Sequence, residues 1–285
     1  CDVSFMVSPR LRGMGVLFMS GDDVIALFPA NEDGERLISH GGLTYGGFIT
    51  GVDMRQDVMQ ECVHILLDYC KKCHFKTIQY KNIPWIYNKQ PAEEDEYSIF
   101  FYGGKLAKVE ASTVMDMHNP IRMSKLRKRQ INKALRKGVR TDIEDSKDSY
   151  LEFMNLQNKV LNERHHVDAV HTGEEMNLLH ERFPECIRLF TARMEHILIG
   201  GAVVFVYEDV VHTQYLCASN EARENGGLDA VINFIIGTYK YSKKWLDFGI
   251  STENNGHYLN EGLKSQKEGF GGRTVNYRTY ELKVN

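Results

Sequence analysis

Apolar residues in this chain come in short runs broken by polar turns, with longer stretches at helical spacing between them. Residues 15–19 and 23–29 are apolar runs on either side of Ser20-Gly21-Asp22, which predicts a β-hairpin. Asn31-Glu32-Asp33-Gly34 predicts a second turn. The run 37–49 is strand-like but contains the pairs Gly41-Gly42 and Gly46-Gly47, a sign of bulges or close backbone approach. Residues 55–74 predict a helix with Val58, Cys62, Ile65, Leu66, Tyr69 and Cys73 on its apolar face. A strand at 75–80 and a short helix from Pro84 follow. Further strands are expected at 97–101 and 106–109, around Gly103-Gly104.

The second half has a similar texture. Residues 146–164 form an amphipathic pattern built on Tyr150, Phe153, Met154, Val160 and Leu161. Thr172 and Glu175 have the spacing of a capping box for a helix through Arg182. Strands are predicted at 186–194, 197–207 and 210–219. A turn from Asn220 to Gly227 leads into a helix with Leu228, Val231, Ile232, Ile235 and Tyr239 on one face. Residues 245–250 are an apolar strand holding one acid, Asp247. After the polar turn 251–255, a helix runs to about Lys267, with Leu259 and Leu263 one turn apart, and a strand at 274–282 closes the chain. Gly256 and Gly262 inside that helix each cost about 1 kcal/mol of helix propensity, which predicts another surface close to the backbone. Elements near 43–48, 55–74, 75–80, 85 and 97 match, in order, those at 210, 228–242, 245, 255–267 and 274, the pattern of a duplicated unit.

Between the halves, charge changes the picture. Arg122, Lys125, Arg127, Lys128, Arg129, Lys133, Arg136 and Lys137 follow one another without an acid. The apolar stripe of Met123, Leu126, Ala134 and Leu135 is thin, and an acidic run at 142–148 follows Gly138. The expected division is a unit at 1–120, a basic linker helix at 121–141 and a domain at 142–285. The helix either contacts phosphates of a nucleotide, a tRNA or a lipid-linked sugar, or is a solvated linker balanced by the acids after it. With 285 residues, 42% of them hydrophobic, there is core enough for one large domain or two moderate ones. A net charge of −3 excludes a polycation overall. No apolar run approaches the ~18 residues of a membrane span, and no signal peptide is legible at Cys1. Six scattered cysteines read as reduced thiols, so the expected location is cytoplasmic.

Several chemistries lack a motif. Cys70-Lys71-Lys72-Cys73-His74 has the haem-attachment spacing, but Cys73 fits a helix face and no second ligand pair exists; neither haem nor metal is expected. His165, His166, His171 and His180 read as surface residues near helix ends. Serine-hydrolase, P-loop and Rossmann signatures are missing. The turn with Arg223, Gly226 and Gly227, by contrast, precedes a helix N-terminus and is placed to hold a phosphate.

Four strings together carry a family resemblance. They are His40-Gly41-Gly42-Leu43-Thr44-Tyr45-Gly46-Gly47, the Lys125-Leu126-Arg127-Lys128 helix, Asp247-Phe248-Gly249-Ile250-Ser251-Thr252-Glu253, and Leu259-Asn260-Glu261-Gly262-Leu263 with Lys267-Glu268-Gly269-Phe270-Gly271. The chain resembles a tandem, FemAB-like member of the acyl-CoA N-acyltransferase (GNAT) superfamily over nearly its full length. The resemblance implies an α/β fold (an α+β mixed sheet) in two tandem GNAT-like units, the first incomplete because its leading helices are missing. It implies transfer of an acyl or aminoacyl group onto the amine of a small-molecule, sugar or cell-wall-precursor acceptor. The donor is either acyl-CoA, such as acetyl-CoA, or aminoacyl-tRNA. Donor pantetheine would lie on a splayed strand pair at Leu216 and Ala218, and its pyrophosphate on Arg223, Gly226 and Gly227. That loop matches the family pattern only in part.

Lys267, before Phe270-Gly271 and expected to be exposed on its helix, matches a lysine important near the reacting centre of FemAB proteins, although the residue before it is Gln266. Asp247 and Glu253 are the candidate bases; helix capping is the plainer role for both. Lys267 or a backbone N–H on the 210–219 strand is the candidate oxyanion donor. His40, Tyr45, Lys125, Arg127 and Asn260 are the candidate acceptor contacts, with His40 and Tyr45 reaching a cleft between the units. The alternative is a non-catalytic GNAT-fold protein that binds a nucleotide-sugar or nucleic acid through its basic helix.

Overall fold

The structure, a computed structural model, describes residues 12–41, 45–165, 167 and 169–284. Gly42, Leu43 and Thr44 of the glycine-paired run, and His166 of the histidine cluster, lie outside the described residues. The chain divides into two compact units. One holds the described residues up to Ala111, then Thr252–Tyr258 and the chain from Val275. The other holds Ser112–Ser251 and Leu259–Thr274. The division therefore falls before Ser112, not at 120, and the basic segment is part of the second unit instead of a linker.

In the first unit, β1 (Arg12–Ser20) and β2 (Asp23–Asp33) form the expected hairpin. β3 (Arg36–Ser39) pairs antiparallel with β2, as does the short β4 (Ile49–Thr50). Helix α1 (Gln56–Lys72) buries Met59, Cys62, Val63, Leu66 and Cys70. This face is turned from the predicted one: Ile65 and Cys73 are exposed, and Cys70, the buried thiol, is pushed up to about 12 by burial. β5 (Thr77–Lys81) lies parallel to β3 and antiparallel to the chain's last strand. After a 3₁₀ turn at Trp85–Tyr87 comes α2 (Glu94–Phe101), which replaces the predicted strand at 97–101. Tyr97, Phe100 and Phe101 look like strand formers but are exposed, while Asp95, Ser98 and Ile99 are buried at helical spacing. Glu94, Asp95 and Glu96 also favour a helix start electrostatically. β6 (Lys105–Asp116) runs from the first unit into the second.

The second unit opens with α3 (Lys125–Arg136), capped by Ser124, then β7 (Val139–Ile143), a strand hidden in sequence by its charged residues. Helices α4 (Lys147–His165) and α5 (Gly173–Arg182) follow; α5 has the predicted Thr172–Glu175 capping box. β8 (Ile187–Met194), β9 (Ile197–Val206) and β10 (Val210–Ala218) are antiparallel neighbours. Residues 220–225 form α6 (Asn220–Asn225), and α7 (Gly227–Tyr239) leads to β11 (Trp245–Ile250). β12 (Thr252–Glu253), a 3₁₀ turn at Asn254–Gly256 and β13 (Tyr258–Leu259) take the place of the predicted helix start. The helix itself, α8 (Glu261–Glu268), begins only after the Asn260 cap and is followed by β14 (Arg273–Lys283). A Cβ at Gly256 would meet the Val109 carbonyl, as the close-approach argument expects, but Gly262 is exposed.

Sheet order in this unit is β6-β11-β10-β9-β8-β7, with 112–116 supplying the β6 edge. Phe190, Val231, Ile232, Ile235, Leu246, Phe248 and Phe270 fill its core. The order β5, 3₁₀ turn, α2, β6 recurs as β11, 3₁₀ turn, α8, β14, with the short β12 and β13 added in the second. The pairing of the 75–80 and 245–250 strands stands, but the counterpart of α8 is α2 and that of β14 is β6.

Candidate active site

In the second unit β10 and β11 form a parallel pair, and it is short. β10 and β11 are in register only at Val210↔Trp245, Val211↔Leu246 and His212↔Asp247. Both strands become irregular just past that point. Against β9, β10 has a bulge at Gln214, since Thr213 and Tyr215 face consecutive residues. β11 breaks register with β6 after Asp247, and Gly249 sits at φ 72, a conformation that a side chain resists. The two strands therefore part, as the resemblance implies, and their polar residues converge at the parting.

Asp247 is fully buried. Its Oδ1 accepts from Ser112 Oγ at 2.5 Å and from the Gly249 N–H at 2.9 Å. Its Oδ2 lies 3.0 Å from Nδ1 of His212, which is also buried. Lys267 is not exposed on its helix: it is 4% exposed, and its Nζ donates to the carbonyls of Gly249 at 2.9 Å and Ile250 at 2.7 Å. Burial, opposed by nearby Asp247, draws its ammonium down to about 8. Thr213 and Ser251 flank the same point, and their buried hydroxyls have no hydrogen-bond partner among the described residues. Unsatisfied buried hydroxyls are costly, so this pair leaves hydrogen-bonding capacity at the parting of the strands.

The other expected residues are placed as follows. Leu216 is half-buried and Ala218 buried on β10. The expected pyrophosphate loop is helical instead of open. Ser219 caps α6, Arg223 folds back so that its Nε donates to the Ala218 carbonyl at 3.1 Å, and Gly226 and Gly227 are buried. A Cβ at Gly226, which has φ 76, would run into the Gln130 carbonyl of α3. The first turn of α7 already holds a buried acid, Asp229, paired with Arg127 at 2.7 Å. Burial pushes this carboxyl up, against the pull of Arg127. Arg127 also lies 5.9 Å over the Phe270 ring, so it holds α3 to α7 and to the core. Replacing Arg127 with methionine should cost about 2 kcal/mol of stability by stranding Asp229. Urea unfolding of Arg127→Met, Asp229→Leu and the double variant checks this; the double variant should recover most of the loss.

Lys125, Lys128 and Arg129 are exposed on α3. A cleft of about 610 Å³ lies between α3 and α8, lined in part by Ser124, Leu126, Arg127, Ser265 and Arg273. Asn260 uses its side chain as the α8 cap, accepting from the Leu263 N–H at 3.0 Å. Glu253 is exposed and belongs to the first unit.

The first unit's own parallel pair, β3 and β5, is closed by its chain. The Gly46 N–H bonds the Lys81 carbonyl at 3.2 Å, and the Lys81 N–H bonds Ser39 Oγ at 2.7 Å. His40 sits there at φ 45 with its ring buried, and burial first, then Lys81, lowers its pKa. Tyr45 packs on Tyr87 and Tyr277. His171 bonds the Tyr215 hydroxyl at 2.7 Å and His180 the Ile187 carbonyl at 2.7 Å, which gives both histidines structural roles. Among the described residues no cluster of His, Cys, Asp or Glu suits a metal ion, and no helix is long and apolar enough to cross a membrane. His212 went unnoticed in the sequence; its only signal was its place on β10 opposite Asp247, which requires the register.

Residues 122–240 match the family model described as an acetyltransferase (GNAT) domain. The match is confined to that segment of the second unit, and the similarity to solved structures concerns the fold. FemX superposes with a TM-score of 0.66 at 11% identity, covering 96% of this chain and 88% of FemX. The C-terminal domain of a putative lysylphosphatidylglycerol synthetase from Agrobacterium fabrum gives 0.68 at 11%, covering 100% and 91%. L-PGS from Bacillus licheniformis gives 0.67 at 15%, covering 95% and 84%. No curated protein matches the chain by sequence. The GNAT domain brackets α3 through α7, so the basic helix lies inside the acyltransferase domain.

Proposed function

We propose that this protein transfers an aminoacyl group from a charged tRNA to the amine of a small-molecule, sugar or cell-wall-precursor acceptor. The observation that carries the reading is the parting of β10 and β11 after His212↔Asp247, with Lys267 buried on the carbonyls of Gly249 and Ile250. The acyl carbonyl lies in that opening. Two donors of the Lys267 ammonium are engaged, and the third, together with a backbone N–H at the Gln214 bulge, receives the charge that develops on the carbonyl oxygen.

The choice of donor rests on α6 and α7. A CoA pyrophosphate is favoured by a bare helix N-terminus, whereas this one has Asp229 in its first turn and α3 packed over Gly226. Exposed Lys125, Lys128 and Arg129 on α3, a helix that lines the 610 Å³ cleft through Leu126 and Arg127, suit a polyanionic donor carrier instead. Tyr45, Arg127 and Asn260 are each engaged within their own unit, and His40, whose ring nitrogens have no hydrogen-bond partner among the described residues, lies in the first unit. Within the second unit Lys125 is the strongest of the expected contacts.

Titration of the protein with charged tRNA and with acetyl-CoA tests the donor. Charged tRNA should bind with a steep salt dependence. Reversal of Lys125, Lys128 and Arg129 to glutamate should lower the magnitude of the log–log salt slope by about 2. Tight acetyl-CoA binding with no response to charged tRNA would overturn the choice. A second reading, a non-catalytic binder using α3, is favoured by the same three cations; it predicts nucleic-acid binding without transfer to any amine.

A further inference from the structure

The buried contacts at the parting of β10 and β11 separate the roles of the two residues that meet there. Asp247 is the obvious candidate base, but its oxygens accept from Ser112, from the Gly249 N–H and from His212, and it is fully buried. Three donors occupy its oxygens, which leaves it poorly placed to meet a substrate's proton directly. His212 stands in the last register pair before the strands separate, next to the bulge that redirects β10. Its Nδ1 is turned to Asp247 Oδ2 at 3.0 Å. That bond places the imidazole proton on Nδ1 and leaves the lone pair on Nε2. Asp247 also acts electrostatically on Lys267, so the one buried carboxylate bears on both side chains.

We propose that His212 is the proton acceptor of the transfer reaction and that Asp247 is the positioning residue that fixes its tautomer. This rests on the acyltransfer reading above. Nε2 of His212 takes one proton from the acceptor ammonium. The neutral amine then forms the C–N bond to the acyl carbon, and the carbonyl oxygen becomes an oxyanion facing Lys267. Collapse breaks the C–O bond to the donor ribose. The surplus proton on nitrogen goes to the leaving oxygen, and His212 returns its own proton to solvent. No oxidant, metal or further reactant is needed.

The test uses the full chain with charged tRNA and an amine acceptor, together with imidazole NMR that requires no activity. His212→Gln should lower kcat at least 100-fold with KM within about threefold, since general-base catalysis contributes typically 10²–10⁴. For His212→Ala, added imidazole should restore part of the rate. In the wild-type protein, ¹⁵N-resolved spectra should show the His212 proton on Nδ1. Asp247→Asn should reduce kcat and move that proton to Nε2. A folded His212→Gln that keeps a rate within threefold of wild type would overturn the proposal, as would a wild-type proton on Nε2. If His212→Gln fails to fold, the wild-type tautomer decides. If wild-type protein transfers nothing from any donor, the acyltransfer reading fails, whereas the spectra still decide whether Asp247 sets the His212 tautomer.

Discussion

Replacing Lys267 with methionine should lower kcat about 10²–10³-fold, the usual cost of removing one oxyanion donor. Methionine keeps the length and the apolar stem of the side chain, so the change isolates the ammonium. The same variant has a stability signature of known sign. Burial draws the Lys267 ammonium down to about 8 in the folded protein, against an ordinary value of 10.5. Between those values the unfolded chain binds more protons than the folded one, so the group's contribution to stability rises with pH. Below about pH 8 both states are charged, and the folded state bears the full cost of burying the cation. The difference in Tm between wild type and Lys267→Met should therefore move in favour of wild type from pH 8 toward 10. Taking the difference removes the opposing effect of Cys70, held up at about 12, and the parallel effect of Lys81, also near 8. Unchanged kcat with a pH-independent difference in Tm would assign Lys267 no part in the site.

Phe248→Ala should cost about 3–5 kcal/mol, the range for truncating a buried aromatic. Phe248 is 3% exposed and stacks on Phe270 with centroids 6.0 Å apart. It also occupies the register break in β11, between Asp247 and Gly249. Its loss should lower the unfolding temperature of the second unit by about 10 °C. Below the new transition the transfer rate should fall too, because Asp247 and the Gly249 carbonyl are positioned by the same strand. Calorimetry and an activity assay on one preparation check both effects. A shift under about 3 °C would mean that the pocket collapses around the smaller side chain.

Much of the fold was legible because it depends on local spacing. The 15–29 hairpin, the Thr172 cap, the strands of the second unit and the apolar face of α7 follow from alternation, helical period and turn chemistry. The errors have a common origin in positions where local propensity and tertiary burial disagree. Tyr97, Phe100 and Phe101 resemble a strand, yet α2 buries Asp95, Ser98 and Ile99 and leaves the aromatics outside. β7 has the polar sequence of a loop, but it pairs with β8 along its length. Residues 220–225 look like a phosphate loop, but Ser219 caps them into a helix that α3 then covers.

By itself the sequence determined the duplicated order, the basic helix and the identity of Lys267 and Asp247 as residues to examine, because each is written in one contiguous string. Tertiary structure alone decided what those residues do. Burial of Lys267 depends on α8 folding back onto the Gly249 and Ile250 carbonyls. Engagement of Arg127 with Asp229 joins residues 102 positions apart. The pairing of His212 with Asp247 spans 35 positions and exists only because β10 and β11 are parallel at that register. A contact between distant positions leaves no periodic trace in the chain, since it is fixed by strand register and helix packing and not by the spacing of either residue from its neighbours.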